Sequence, residues 1–186
     1  PVINSLRGRK TPTEQARVQK AIEITNQIFE KTFAFIKVGM TEIDIANYMH
    51  NLMNEYGVGF AWPSENNPAV NSGPNKIVGH NGPMEIKVER GHIIHFDFGV
   101  KYEGYCSDIQ RVCYVLREGE TEAPLEVQRG FITIRTAIEK SCEAMKIGTA
   151  GKEVDIISRD IVTDSGYPEF NYALGHQLGR VAHDGG

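Results

Sequence analysis

Apolar residues recur at helical spacing twice in the first third of the chain. Thr11-Pro-Thr-Glu14 opens the first stretch: Thr11 can cap, Pro12 suits the first helical position, and Glu14 completes a capping box. A helix is predicted over about 12–37, with Val18, Ile22, Phe29, Phe33 and Ile36 near one face and Gly39 closing it. Thr41-Glu-Ile-Asp44 starts a second helix, apolar along Ile45, Tyr48, Met49, Leu52 and Met53 and ended by Gly57. Residues 59–83 lose the period and are punctuated by Pro63, Pro68, Gly73, Pro74, Gly79, Gly82 and Pro83, which predicts a long loop holding at most a short strand. Trp62 and His80 lie in it.

The period then changes to that of strands. Residues 93–100 and 105–116 are rich in β-branched and aromatic residues and flank a polar Lys101-Tyr-Glu-Gly104 connection, so they read as a hairpin. A turn centred between Tyr102 and Glu103 pairs residues whose numbers sum to 205 and sets Asp97 directly opposite Asp108. Side chains so opposed share a face, with Cβ atoms about 5 Å apart. Two carboxylates that close repel unless they share a proton or a cation.

Beyond the hairpin the first pattern returns. Helices are predicted over about 125–146 and 152–164, followed by Gly148 and Gly166, and a loop with Tyr167-Pro168 leads to Gly175-His176. Ile36-Lys-Val-Gly39 matches Met145-Lys-Ile-Gly148, Glu42-Ile-Asp-Ile45 matches Glu153-Val-Asp-Ile156, and Glu55-Tyr-Gly57 matches Asp164-Ser-Gly166, at offsets of 109, 111 and 109. An internal repeat of this kind predicts two pseudo-symmetric halves, about 1–117 and 118–186, within one domain. The second half is expected to stop short of its own hairpin, roughly 40 residues of a complete unit.

Composition narrows the function classes. Of 186 residues, 40% are hydrophobic and 24% charged, an ordinary globular balance. The net charge of -4 offers no basic patch for nucleic acid, and no apolar run has the length of a membrane span. The first ten residues lack a signal-peptide pattern, so a cytoplasmic location is expected. Three cysteines without Cys-x-x-Cys spacing read as reduced thiols. The chain starts at a proline, as a fragment, a processed product or an excised domain would.

Asp97, Asp108 and His176 supply the donors that hard divalent metals favour, carboxylate oxygens with an occasional imidazole. Among the six histidines, His50 reads as a helix-surface residue and His92 as a strand-edge one, while His95 shares strand parity with Asp97. His80, His176 and His183 lie in glycine-rich segments where backbone can approach a ligand closely.

Asp97-Phe-Gly99, Gly104-Tyr-Cys-Ser-Asp108 and Arg111 together resemble the Asp-x-Gly…Gly-Tyr-x-Ser-Asp-x-x-Arg signature of the creatinase/aminopeptidase ("pita-bread") metallopeptidases, closest to their Xaa-Pro branch. Gly175-His176-Gln-Leu-Gly179-Arg-Val-Ala-His183-Asp-Gly185 is similar to that family's Gly-His-Gly-x-Gly…His-Glu segment, and His80 sits where the family has a substrate-side histidine. Gln177 stands in place of a usual glycine and Asp184 in place of a usual glutamate, departures that bear on substrate preference.

The resemblance implies an α+β pita-bread fold, helices packed on a curved antiparallel sheet, and a site holding two divalent ions, Mn²⁺ first and Co²⁺ or Zn²⁺ as alternatives. Asp97, Asp108 and His176 would be metal ligands, with Asp108 bridging, and two glutamates of a second hairpin would complete the set. The ions would acidify a bridging water and polarise the scissile carbonyl. His183 would stabilise the oxyanion or hold substrate, and His80 would assist proton transfer or orient the departing nitrogen. The expected activity is hydrolysis of the N-terminal Xaa-Pro bond of peptides, of prolidase or aminopeptidase P type, with a homodimer left open. Methionine aminopeptidase, an inactive pita-bread binding module and a metal-free creatine-hydrolase-like enzyme are the alternatives.

Overall fold

The computed structural model describes residues 6–74 and 81–184. The chain divides into two compact units, Pro1–Thr121 with Gln177–Gly185, and Glu122–His176 with Gly186. Helices α1 (Pro12–Phe35) and α2 (Glu42–Tyr56) open the first unit. Both begin with complete capping boxes, Thr11 with Glu14 and Thr41 with Asp44, so their first orphan N–H groups have acceptors. Among the described residues no helix is long and apolar enough to cross a membrane.

On α1 the buried face is Ala21, Ile24, Thr25, Ile28, Phe29 and Thr32. This is rotated from the expected stripe: of its members only Phe29 is buried, and Val18 and Ile22 line a shallow surface pocket. Two threonines explain the shift. The hydroxyls of Thr25 and Thr32 donate to the Ala21 and Ile28 carbonyls at 2.9 and 2.7 Å, which lets a polar residue occupy the core side. The face of α2 is close to what its period suggests: Ile45, Met49, Leu52 and Met53 are buried with Ala46 added, and Tyr48 is partly buried against the same core.

Among the described residues six short strands follow, β1 (Gly59–Phe60), β2 (Ala69–Ser72), β3 (Ile93–Phe98), β4 (Val100–Tyr102), β5 (Tyr105–Cys106) and β6 (Ile109–Tyr114). They form two antiparallel three-stranded sheets, ordered β1-β4-β5 and β2-β3-β6. The sequence-predicted hairpin therefore exists but is shared between sheets. Its register differs from the expected one: Tyr102 faces Tyr105 and Asp97 faces Gln110, so pair numbers sum to 207 and Asp97 is not opposite Asp108. The reason is the turn. Glu103 and Gly104 both take positive φ, 46° and 82°, as a two-residue mirror-image turn demands, so Gly104 belongs inside the loop. A slip of two residues preserves side-chain parity, and Asp97 and Asp108 keep a common side.

In the core, the Phe29 ring meets Phe96 and Phe98 edge-on at centroid distances of 6.0 and 5.7 Å, joining α1 to β3.

The second unit repeats the start of the first in miniature. Helix α3 (Leu125–Ala144) ends before Gly148 and α4 (Gly151–Asp164) before Gly166. Gly39 and Gly148 share a φ of 93°, and Gly57 and Gly166 are both left-handed, so the repeated sequence folds alike locally. Within this unit Ala137, Ser141, Val154, Ser158 and Val162 are buried.

Candidate metal centre

The strand motif works by alternation. Between Tyr105 and Arg111, three side chains of one parity engage α1: the Tyr105 hydroxyl donates to Glu14 at 2.7 Å, the Ser107 hydroxyl lies 2.6 Å from that of Thr25, and Arg111 donates to Asn26 at 3.3 Å. Residues between them face the other way. The Cys106 thiol approaches the carbonyls of Ala61 and Arg180, and Asp108 opens into a pocket. Tyr105, Ser107 and Arg111 are thus anchors, and their parity aims Asp108 away from the helix.

A cavity of about 200 Å³ is lined by Trp62, Asn66, Asp97, Asp108, Ala182 and His183. Asp97 enters from β3 and is 6% exposed, Asp108 follows β5 and is half-buried, and His183 is exposed at the rim. A carboxylate oxygen of Asp108 and a ring nitrogen of His183 lie within 4.8 Å of each other. Two carboxylates and an imidazole, with neither lysine nor arginine in the lining among the described residues, are a donor set that suits a hard divalent cation.

Gly99 permits this crowding. A Cβ there would collide with the Ser107 carbonyl oxygen and stand 2.6 Å from the Trp62 ring, so only glycine lets the arm bearing Asp97 pass the one bearing Asp108. Asn67, fully buried, holds the crossing by donating to the Gly99 carbonyl at 2.7 Å and accepting from its N–H at 3.4 Å.

His183 rides on residues 177–184, which close on themselves: the Gly179 N–H donates to the Val181 carbonyl at 3.2 Å and the Asp184 N–H to that of Gln177 at 3.0 Å. The segment is pinned to β5 by the Cys106 N–H, 2.8 Å from the Gly179 carbonyl. Asp184, only 6% exposed, pairs with Arg7 and, at 3.6 Å, with Lys10. Its carboxylate fills the space where a Cβ on Gly179 would fall. Burial above all pushes the Cys106 thiol up, with Lys101 working against the shift and Asp108 and Asp184 adding to it.

The first unit therefore gathers Asp97, Asp108 and His183. His176 is exposed and ends the main segment of the second unit, and its approach loop is ordered there by α4. Arg159 donates to Glu169 at 3.0 Å and to the carbonyls of Phe170 and Tyr172 at 2.6 and 2.8 Å, while Asp155 accepts from the Leu174 N–H at 2.9 Å. His80 lies outside the described residues. His50 bonds the Asn67 carbonyl at 2.7 Å, and His95 bonds Gln110 at 2.9 Å on the side that Asp97 shares. Sequence reasoning placed Trp62 only in a loop; its signal was a single tryptophan set in a proline-punctuated segment.

Residues 16–186 match Metallopeptidase family M24, and the chain belongs to that family. It is 31% identical over 183 residues to an uncharacterized peptidase of Staphylococcus saprophyticus, covering 98% of this chain and 50% of that one. A putative Xaa-Pro aminopeptidase of Mycoplasma pneumoniae is 32% identical over 186 residues, covering 98% of this chain and 51% of its own. The X-Pro aminopeptidase of Thermotoga maritima superposes over 100% of this chain and 51% of that one, with a TM-score of 0.89 and 33% identity. The chain thus spans about half the length of the relatives it matches. The α+β architecture agrees with the fold that the sequence motifs suggested.

Proposed function

We propose that the complete protein is a dinuclear metal-dependent peptidase that removes the N-terminal residue from peptides with proline in second place. The observation carrying this reading is the pocket in which Asp97 and Asp108, from one hairpin, meet His183, in a chain of an M24 peptidase. Asp97, Asp108 and His176 would hold two divalent ions, Mn²⁺ first, and the family's two glutamates would come from a second hairpin. When bound, such ions polarise a carbonyl and supply a water acidic enough to attack near neutral pH. His183, exposed at the rim, donates a hydrogen bond to the substrate oxygen that gains charge. His80 handles the proton of the departing nitrogen. Residues 1–186 form one catalytic domain in this reading, built from repeated halves.

The test is metal analysis of the full-length protein and its assay with Mn²⁺, Co²⁺ or Zn²⁺ against Ala-Pro and Met-Ala peptides. Metal-dependent cleavage of Ala-Pro that is lost in Asp108→Ala is expected. Purification without stoichiometric metal, or cleavage unaffected by Asp108→Ala, would refute the reading; preference for Met-Ala would transfer it to the methionine aminopeptidases.

A further inference from the structure

We infer that Trp62 is the specificity-determining residue of the candidate site, its indole face forming the wall on which the pyrrolidine ring of a penultimate proline packs. The inference rests on the peptidase reading above and adds to it the group that recognises proline. Among the described residues, Trp62 is the one indole or phenyl side chain lining the cavity with Asp97, Asp108 and His183. It is half-buried, so part of its surface remains for a ligand.

The ring is held in place before any substrate arrives. Its Nε1–H donates to the Asn66 carbonyl at 2.9 Å, within a turn of 3-10 helix at Ser64–Asn66. Its edge seats against Gly99, where even a methyl group would stand 2.6 Å from it. That turn packs closely against the loop at Gly82, where a Cβ would strike the Glu65 carbonyl oxygen. With its only donor used and its edge fixed, the indole has only apolar π surface left for a ligand and no hydrogen-bonding group.

Such a wall discriminates by what proline lacks. An ordinary second residue brings a backbone N–H that must find an acceptor when water is excluded, whereas proline brings none. Proline instead presents a compact ring whose C–H bonds next to nitrogen are polarised towards the electron-rich face of an aromatic. A rigid tryptophan face therefore favours Xaa-Pro over Xaa-Ala by removing a penalty and adding a contact.

The experiment uses the full-length protein loaded with Mn²⁺ and two readouts. One is the ratio of kcat/KM for Ala-Pro to that for Ala-Ala in wild type, Trp62→Phe and Trp62→Leu, each checked for an unchanged melting curve. Trp62→Phe keeps a π-face and should retain the ratio within about twofold; Trp62→Leu keeps bulk without the face and should lower it about three- to tenfold. The other is fluorescence excited at 295 nm as L-proline amide is added, taken as the difference between wild type and Trp62→Phe. A saturable change assigned to Trp62 is expected, and it needs no turnover. Cleavage of Ala-Pro with an unaltered ratio in Trp62→Leu and no fluorescence change would overturn the inference and leave the peptidase reading standing. No Ala-Pro cleavage with a saturable Trp62 signal would do the reverse, and the absence of both would overturn both.

Discussion

Glu42 is an acidic residue buried outside the pocket. It lies at the first position of α2, is 0% exposed, and accepts two backbone hydrogen bonds, Oε1 from the Ser72 N–H at 2.7 Å and Oε2 from the Met84 N–H at 2.9 Å. Those donors flank residues 73–83, the segment that contains His80. A hydrogen bond to a charged group contributes about 1.5–3 kcal/mol, and removing it strands a buried donor as well. Glu42→Ala strands both N–H groups and should destabilise by about 4 kcal/mol, a large share of the 5–15 kcal/mol that typically holds a domain. Glu42→Gln keeps one carbonyl oxygen but turns an NH₂ towards the second donor, and should cost about 2 kcal/mol. Urea unfolding of the three proteins gives these differences as midpoint shifts at constant slope. Amide exchange at Ser72 or Met84, whichever loses its acceptor in Glu42→Gln, should accelerate at least about tenfold. Unfolding within about 0.5 kcal/mol of wild type, with both amides protected as before, would show that the carboxylate does not hold the two edges together.

Four further outcomes follow from local features. Gly39 and Gly148 share a φ of 93°, and among the described residues nothing beyond their own chain neighbours lies within 4 Å of where a Cβ would stand on either, so alanine imposes backbone strain alone. Each substitution should cost about 1–2 kcal/mol in thermal unfolding, and a large inequality would deny that the repeat is conformational. Glu14 is held down to about 2, foremost by the Thr11 N–H and then by the Tyr105 hydroxyl. Because its folded value lies below the ordinary 4.5, its stabilisation is present above that pH and lost as pH falls towards 2; Glu14→Gln should flatten the melting temperature across that window. Burial pushes the Cys113 thiol up to about 11 and raises Cys106 too, whereas Cys142 is exposed. Brief alkylation at pH 7.5, read by peptide mass spectrometry, should mark Cys142 first, and equal labelling of Cys113 would contradict the packing around it. Arg159→Lys loses the planar fork that serves Asp155, Glu169 and two carbonyls at once. It should destabilise by about 2 kcal/mol and weaken metal retention, measured by dialysis against a chelator.

How legible these features were in the sequence depended on how local their causes are. Capping residues and positive-φ glycines act within four residues, so α1, α2 and α4 begin and end close to where Thr11, Thr41, Gly57 and Gly166 suggest. The hairpin register failed on one residue: Gly104 belongs in the turn, and a turn placed one step earlier moves every pairing by two. Thr25 and Thr32 misled a hydrophobic count because their hydroxyls are satisfied by their own helix. Asp97, Asp108 and His183 could be picked out by residue type and motif. Trp62 could not, since its place beside Asp97 depends on Gly99 and on a backbone acceptor at Asn66 that no periodicity encodes.

The return of residues 177–184 to the first unit sets an order of events during synthesis. The chain leaves that unit after Thr121 and re-enters it at Gln177, with the 55 residues of the second unit between. At about 5–20 residues per second, a ribosome needs roughly 3 to 11 s to cover that gap. Throughout it the Cys106 N–H waits for the Gly179 carbonyl, and Arg7 and Lys10 wait for Asp184. The nascent hairpin carries Asp97 and Asp108 before His183 exists to stand beside them. The length of the gap matters little to the entropy of closing it, since doubling a loop adds only about 0.6 kcal/mol, but closure comes late. Until residues 177–184 dock, the two aspartates of the nascent hairpin lack the wall of their pocket that Ala182 and His183 supply.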